Sequence, residues 1–116
     1  MNADVLFTGV ATADLAAALP WYESLLGRAA DVIVKDDEVM WQIRDGGWMY
    51  LVEDASRAGR ALVAICVPDL DEALDEIALR GLAKPDIEMV GDSGRKAPLI
   101  DPEGNTIAII EVKAAG

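Results

Sequence analysis

The chain has 116 residues, 53% of them hydrophobic, enough to bury a core in one domain and too few for two domains of ordinary size. Twenty-one acidic residues against ten basic ones give a formal charge of −11, which repels phosphate backbones and anionic membrane surfaces and argues against nucleic acid and membrane as partners. No apolar run approaches the roughly 20 residues that span a bilayer, and "MNADVLFTGV" lacks the basic flank and cleavage site of a signal peptide, so a cytoplasmic location is expected.

From Val5, "VLFTGVATADLAAAL" reads as an apolar strand running into Asp14 and then a helix, with apolar residues at Leu15, Ala18, Leu19, Tyr22 and Leu26. Pro20 has no N–H to donate, so it is expected to kink that helix or to start a new turn. Three strand-like runs follow: "ADVIVK" from Ala30, "EVMWQI" from Glu38 and "WMYLVE" from Trp48. Asp45, Gly46 and Gly47 supply a hairpin turn between the last two, because glycine tolerates positive φ. "DASRAGR", Asp54 to Arg60, is the natural linker to what comes next.

What comes next repeats the order. "RALVAICVPDLDEALDEIALRG" from Arg60 is a strand, then Asp69 as N-cap, then Leu70, Ala73, Leu74 and Ile77 at helical spacing, with Gly81 as a stop. "PDIEMV" from Pro85, "KAPLI" from Lys96 and "TIAIIEV" from Thr106 complete it, divided by Gly91 to Gly94 and by Asp101-Pro102-Glu103-Gly104. Placing Asp14 on Asp69 also places Leu15 on Leu70, Ala18 on Ala73 and Leu19 on Leu74, a shared offset of 55 residues that points to an internal duplication. The reading is a single domain over residues 1–116 made of two βαβββ modules, 4–53 and 60–113.

Three motifs, "ADLAAALPWYESLLG", "VPDLDEAL" and "DPEGNTIAIIEV", stand in this order along the chain. Together with the duplicated module they resemble the vicinal oxygen chelate superfamily, which includes glyoxalase I, extradiol dioxygenases and the bleomycin-resistance proteins. The resemblance implies an α+β fold in which two βαβββ modules form a curled mixed sheet around a cavity, and it implies that paired chains share two such cavities. A homodimer is therefore expected. It also implies that metal-dependent members project His, Gln or Glu into the cavity from the first and last strands of each module; aligned by the motifs, those positions are Phe7, Tyr50, Leu62 and Ala108.

None of these four side chains supplies the imidazole or carboxylate donors that a catalytic divalent ion needs. The chain contains no histidine at all. No metal and no other cofactor is expected, and metal-assisted glyoxalase, dioxygenase or epimerase chemistry is disfavoured. Glu53 and Glu111 lie at strand ends and read as solvated charges rather than ligands. Ser24, Ser56, Ser93 and Cys66 have no histidine base, and Cys66, the only cysteine, reads as a buried structural thiol. "GDSGRKAP" lacks the spacing of a phosphate-binding loop and reads as a hairpin turn.

A two-residue loop at Asp45 and Gly46 pairs Ile43 with Trp48 and Trp41 with Tyr50, so the two-residue period of strands sets all four on one face. With Phe7 opposite, that face is an aromatic wall suited to a planar guest, or else it fills the core where a ligand site once was. Trp21 and Tyr22 read as packing residues beneath the first helix. The expected ligand contacts are thus Phe7, Trp41, Ile43, Trp48, Tyr50, Leu62 and Ala108. The functional expectation is a metal-free protein that sequesters a small aromatic or cationic molecule; the alternative is a metal-independent enzyme using a pocket carboxylate or Tyr50 for proton transfer. The acidic surplus either draws a cationic guest or serves solubility alone.

Overall fold

The computed structural model describes residues 1–113. The first module runs β1 (Leu6–Thr12), α1 (Leu15–Leu26), β2 (Val32–Lys35), β3 (Glu38–Arg44) and β4 (Gly47–Glu53). The second runs β5 (Leu62–Cys66), α2 (Leu70–Leu79), β6 (Glu88–Val90), β7 (Gly94–Ile100) and β8 (Thr106–Val112). The expected α+β fold of two βαβββ modules is realised as two four-stranded mixed sheets, ordered β1-β4-β3-β2 and β5-β8-β7-β6. In each, the first strand lies parallel to the last and the other pairs are antiparallel.

Both helices begin on the aspartates that the sequence singles out. Asp14 accepts from the Ala17 N–H at 3.2 Å and Asp69 from the Glu72 N–H at 3.0 Å, each satisfying a donor that the first helical turn leaves free. A second carboxylate reaches each helix start from the last strand of its own module: Glu53 accepts from Leu15 N at 3.0 Å and Glu111 from Leu70 N at 2.9 Å. Negative charge is favourable at this end of a helix. Glu111 is therefore not the solvated strand-end charge that its position suggested. It is 4% exposed, and Arg95 Nε meets its other oxygen at 3.1 Å. The Arg95 guanidinium, aided by the Leu70 N–H, holds the Glu111 carboxyl below its ordinary pKa. Pro20 does not interrupt α1, because Ala16 and Pro20 both face solvent and the carbonyl that lacks a partner lies on the wet side.

One buried cluster joins the modules. Val10, Trp41, Met49 and Leu51 of the first sheet, Ala97, Leu99, Ile107 and Ile109 of the second, and Tyr22, Leu25, Leu70 and Leu74 of the helices all belong to it; each fully buried Val, Leu, Ile or Met side chain contributes about 1.5–3 kcal/mol. The "DPEGN" turn locks the seam. Asp101 accepts from the N–H groups of Glu103 and Asn105 at 2.8 and 2.9 Å and from the Tyr22 hydroxyl at 2.5 Å. Asn105 donates to the Ala11 carbonyl at 2.9 Å and accepts from Ala61 N at 2.8 Å, while Glu103 takes Thr12 Oγ1 and Ala13 N at 3.0 Å.

Since the helix sides of both sheets meet in this core, the opposite faces look outward. Phe7 is 52% exposed and Leu62 85%, with Ile100 and Val112 also exposed. No helix is long and apolar enough to cross a membrane among the described residues.

Candidate functional site

Residue parity along β4 decides which side chains can meet a ligand. Leu51 and Met49 point into the core, so Tyr50 and Trp48 point out. On β1, Phe7 is the register partner of Trp48 and Gly9 that of Tyr50. The Phe7 and Trp48 rings stack at 6.2 Å between centroids and 27° between planes, within the range of offset aromatic pairs. Tyr50 lies flat across Gly9, where a Cβ would overlap the phenol ring. These three rings share one outward face, with Phe7 beside Trp48 rather than opposite it as expected, and that face stands open to solvent rather than inside a cavity.

Trp41 is not part of it. The Asp45-Gly46 turn is as expected, with Arg44 opposite Gly47, but β3 carries an irregularity between Gln42 and Arg44. One extra residue there shifts every upstream pair by one, and a shift of one moves a side chain to the other face. Gln42 therefore sits opposite Trp48 and Met40 opposite Tyr50, while Trp41 pairs with Met49. Trp41 is wholly buried. Its indole N–H donates to the Arg28 carbonyl at 3.1 Å, and its ring lies 6.3 Å from that of Tyr22. Ile43, at the irregularity, is half-buried and turns to the core side, where it lines a cavity of about 310 Å³ with Thr8, Met49 and Val63.

Leu62 and Ala108 lie on the outward face of the second sheet, Ala108 between Ala64 and Pro98. The four positions aligned with metal ligands thus fall on two outward faces, Phe7 and Tyr50 on one and Leu62 and Ala108 on the other. A divalent ion does not fit them, since a ring, a phenol, an isobutyl group and a methyl group provide no imidazole or carboxylate. Among the described residues no three His, Cys, Asp or Glu side chains cluster as a metal site. Cys66 is exposed, not buried, because β5 is an edge strand and position 66 belongs to its outward set; it rims the same 310 Å³ cavity.

The strongly perturbed groups are structural. Burial raises the Tyr22 hydroxyl pKa, and its hydrogen bond to Asp101 raises it further, yet Tyr22 is inaccessible. Every buried side-chain polar atom among the described residues has a partner. Beside Tyr50 the outward face carries a second hollow of about 220 Å³, lined by Gly9, Ala11, Val52, Asp54, Arg57 and Arg60. The linker arginines and Gly9 went unnoticed in the sequence, although glycine inside a strand marks a place where something approaches closely.

No protein-family model matches the chain, and no curated protein matches it. Solved structures do. The chain is 38% identical to a glyoxalase/bleomycin resistance protein from Catenulispora acidiphila DSM 44928, covering 94% of this chain and 98% of that one with a TM-score of 0.88. At lower identity the fold is shared with TnmS3, an antibiotic-binding protein from Streptomyces sp. CB03234 (22% identity, 94% and 95% of the two chains, TM-score 0.71), and with a bleomycin resistance determinant encoded on transposon Tn5 (19%, 96% and 99%, 0.73). The paired modules, the DPEGN seam and 38% identity over nearly the whole of both chains place this protein in the glyoxalase/bleomycin resistance protein family of the vicinal oxygen chelate superfamily.

Proposed function

We propose that the protein binds and sequesters a small aromatic molecule on its outward sheet faces without the aid of a metal. The observation that carries this reading is the stacked Phe7–Trp48 pair with Tyr50 beside it, three rings held by strand register on a face that the core does not use. Large aromatic side chains left facing water mark contact surfaces more often than packing. TnmS3, which shares the fold, is an antibiotic-binding protein, and that supports the reading. Proton transfer by Tyr50 or a pocket carboxylate, the enzymatic alternative, gains no support: no general base bonds to the Tyr50 hydroxyl among the described residues, and Asp54, the carboxylate of the neighbouring hollow, is engaged by Ser56 and Arg57.

A homodimer belongs to the same proposal. Phe7 and Leu62 lie exposed on outer faces, and a second chain laid against them encloses the aromatic wall and the Leu62–Ala108 face together. The acidic surface, at a formal charge of −11, draws cationic aromatics at long range; the groups at contact decide which charge is retained. The test is a tryptophan-fluorescence titration with a panel of aromatic compounds, neutral, cationic and anionic. Saturable quenching that Trp48→Ala abolishes supports the reading, and saturable quenching that Trp48→Ala leaves intact places the guest elsewhere.

A further inference from the structure

Three of the six arginines, Arg44, Arg60 and Arg80, have no carboxylate partner among the described residues, and their surroundings differ. Arg28, Lys35, Arg57, Lys84, Arg95 and Lys96 each form an ion pair, and Arg80 donates to the Ser24 and Leu25 carbonyls. Among the described residues Arg60 has neither an ion pair nor a side-chain hydrogen bond, and it borders the 220 Å³ hollow beside Tyr50. Arg44, which also lacks such a partner, belongs to the core-side cavity instead.

The rest of the hollow explains what a free guanidinium does there. Its apolar lining is Ala11 and Val52, with the Tyr50 ring, which overlies Gly9, as one wall. Its single carboxylate, Asp54, is already engaged by the Ser56 N–H at 3.1 Å, by the Ser56 hydroxyl at 2.7 Å and by Arg57 Nε at 3.6 Å. Two guanidinium groups against one carboxylate leave one positive charge unmatched.

We propose that this hollow is a subsite for a flat organic monocarboxylate, its ring on Ala11 and Val52 beside the Tyr50 phenol and its carboxylate on Arg60. A guanidinium presents paired N–H donors that match a carboxylate's two oxygens. The negative charge spread over the rest of the chain acts mostly beyond the Debye length of about 8 Å, where salt screens it, whereas the contact with Arg60 is not screened in this way. A hollow of about 220 Å³ is smaller than the roughly 300–1,000 Å³ of a complete ligand pocket, so it receives one ring of a guest whose remainder reaches toward Trp48. The inference rests on the aromatic-binding reading above and narrows it from any aromatic to an acid.

Benzoate, benzamide and benzamidinium share one shape and differ in charge, and their binding can be followed by two-dimensional ¹⁵N–¹H NMR. Benzoate is expected to shift the Gly9, Tyr50 and Arg60 resonances and to bind about tenfold tighter than benzamide, with benzamidinium weakest. Arg60→Gln is expected to reduce the benzoate preference to within about twofold; Arg60 is exposed and unbonded, so the variant should fold. Equal affinities, a preference for benzamidinium, or a benzoate preference that persists in Arg60→Gln overturns the carboxylate assignment and leaves the aromatic-binding reading standing. If none of the three shifts any resonance on that face, both fall together.

Discussion

Trp41 and Trp48 stand on neighbouring strands with opposite duties, and replacing each by alanine separates them. Trp41 is wholly buried, packs 6.3 Å from Tyr22 and donates to the Arg28 carbonyl. Its removal leaves a cavity of aromatic size and an unpartnered carbonyl, so Trp41→Ala should cost about 3–5 kcal/mol. In a chain of this length about 1 kcal/mol moves Tm by about 4 °C, giving a drop of roughly 12–20 °C. Trp48 loses one offset stack with Phe7, about 0.5–1.5 kcal/mol, and its Tm should fall by no more than about 6 °C. Its effect belongs to binding, where a buried aromatic anchor is worth about 2 kcal/mol or more. Calorimetry gives the first quantity and fluorescence titration the second. If Trp41→Ala melts within about 3 °C of the parent, or if Trp48→Ala proves the more destabilising, the irregularity in β3 has been misplaced and the register with it.

Tyr22→Phe deletes the hydroxyl that reaches Asp101 across the seam, and chemical denaturation should show a loss of about 2 kcal/mol. Glu111 has a depressed folded pKa, so the stability it supplies is complete above its unfolded value of about 4.3 and is lost as pH falls from there through the folded value; denaturation midpoints between pH 5 and pH 3 should fall less steeply in Glu111→Gln. Elemental analysis after dialysis should find far less than one zinc, nickel, manganese or iron per chain, and a stoichiometric metal would require donors other than Phe7, Tyr50, Leu62 and Ala108. Light scattering at micromolar concentration should give a dimer mass, and a monomer would leave the two outward faces uncovered.

The sequence carried the modular order because that order is written locally. Asp14 and Asp69 mark helix starts through their own side chains, and the 55-residue offset between them needs no knowledge of packing. The Asp45-Gly46 turn was legible for the same reason. The extra residue beside Ile43 was not, since its surroundings have the composition of any strand, and that one residue sent Trp41 to the wrong face. Long-range partnerships were equally hidden. Tyr22 and Asp101 are 79 residues apart in the chain, and the burial of Glu111 depends on Arg95 from β7 and on the start of α2, neither of which its own strand reveals. Exposure of Cys66 followed from β5 being an edge, a fact of topology rather than of composition.

Glu53 at the end of β4 and Glu111 next to the end of β8 set their carboxylates on the first N–H of a helix, and in doing so they divide each strand into two independent alphabets. Odd-numbered positions in β4 and β8 (Met49, Leu51, Glu53; Ile107, Ile109, Glu111) hold the core and the helix starts. Even-numbered ones (Trp48, Tyr50; Ala108, Ile110) lie on the opposite face, where Trp48, Tyr50 and Ile110 are half-buried and only the small Ala108 is covered. A lineage can therefore rewrite the outward set, exchanging a metal ligand for a tyrosine or an alanine, while the folding instructions on the alternate letters stay unedited. An engineer has the same freedom: a library confined to Phe7, Trp48, Tyr50 and Leu62 should yield folded proteins at high frequency, whereas one displaced by a single residue along β4 should yield almost none.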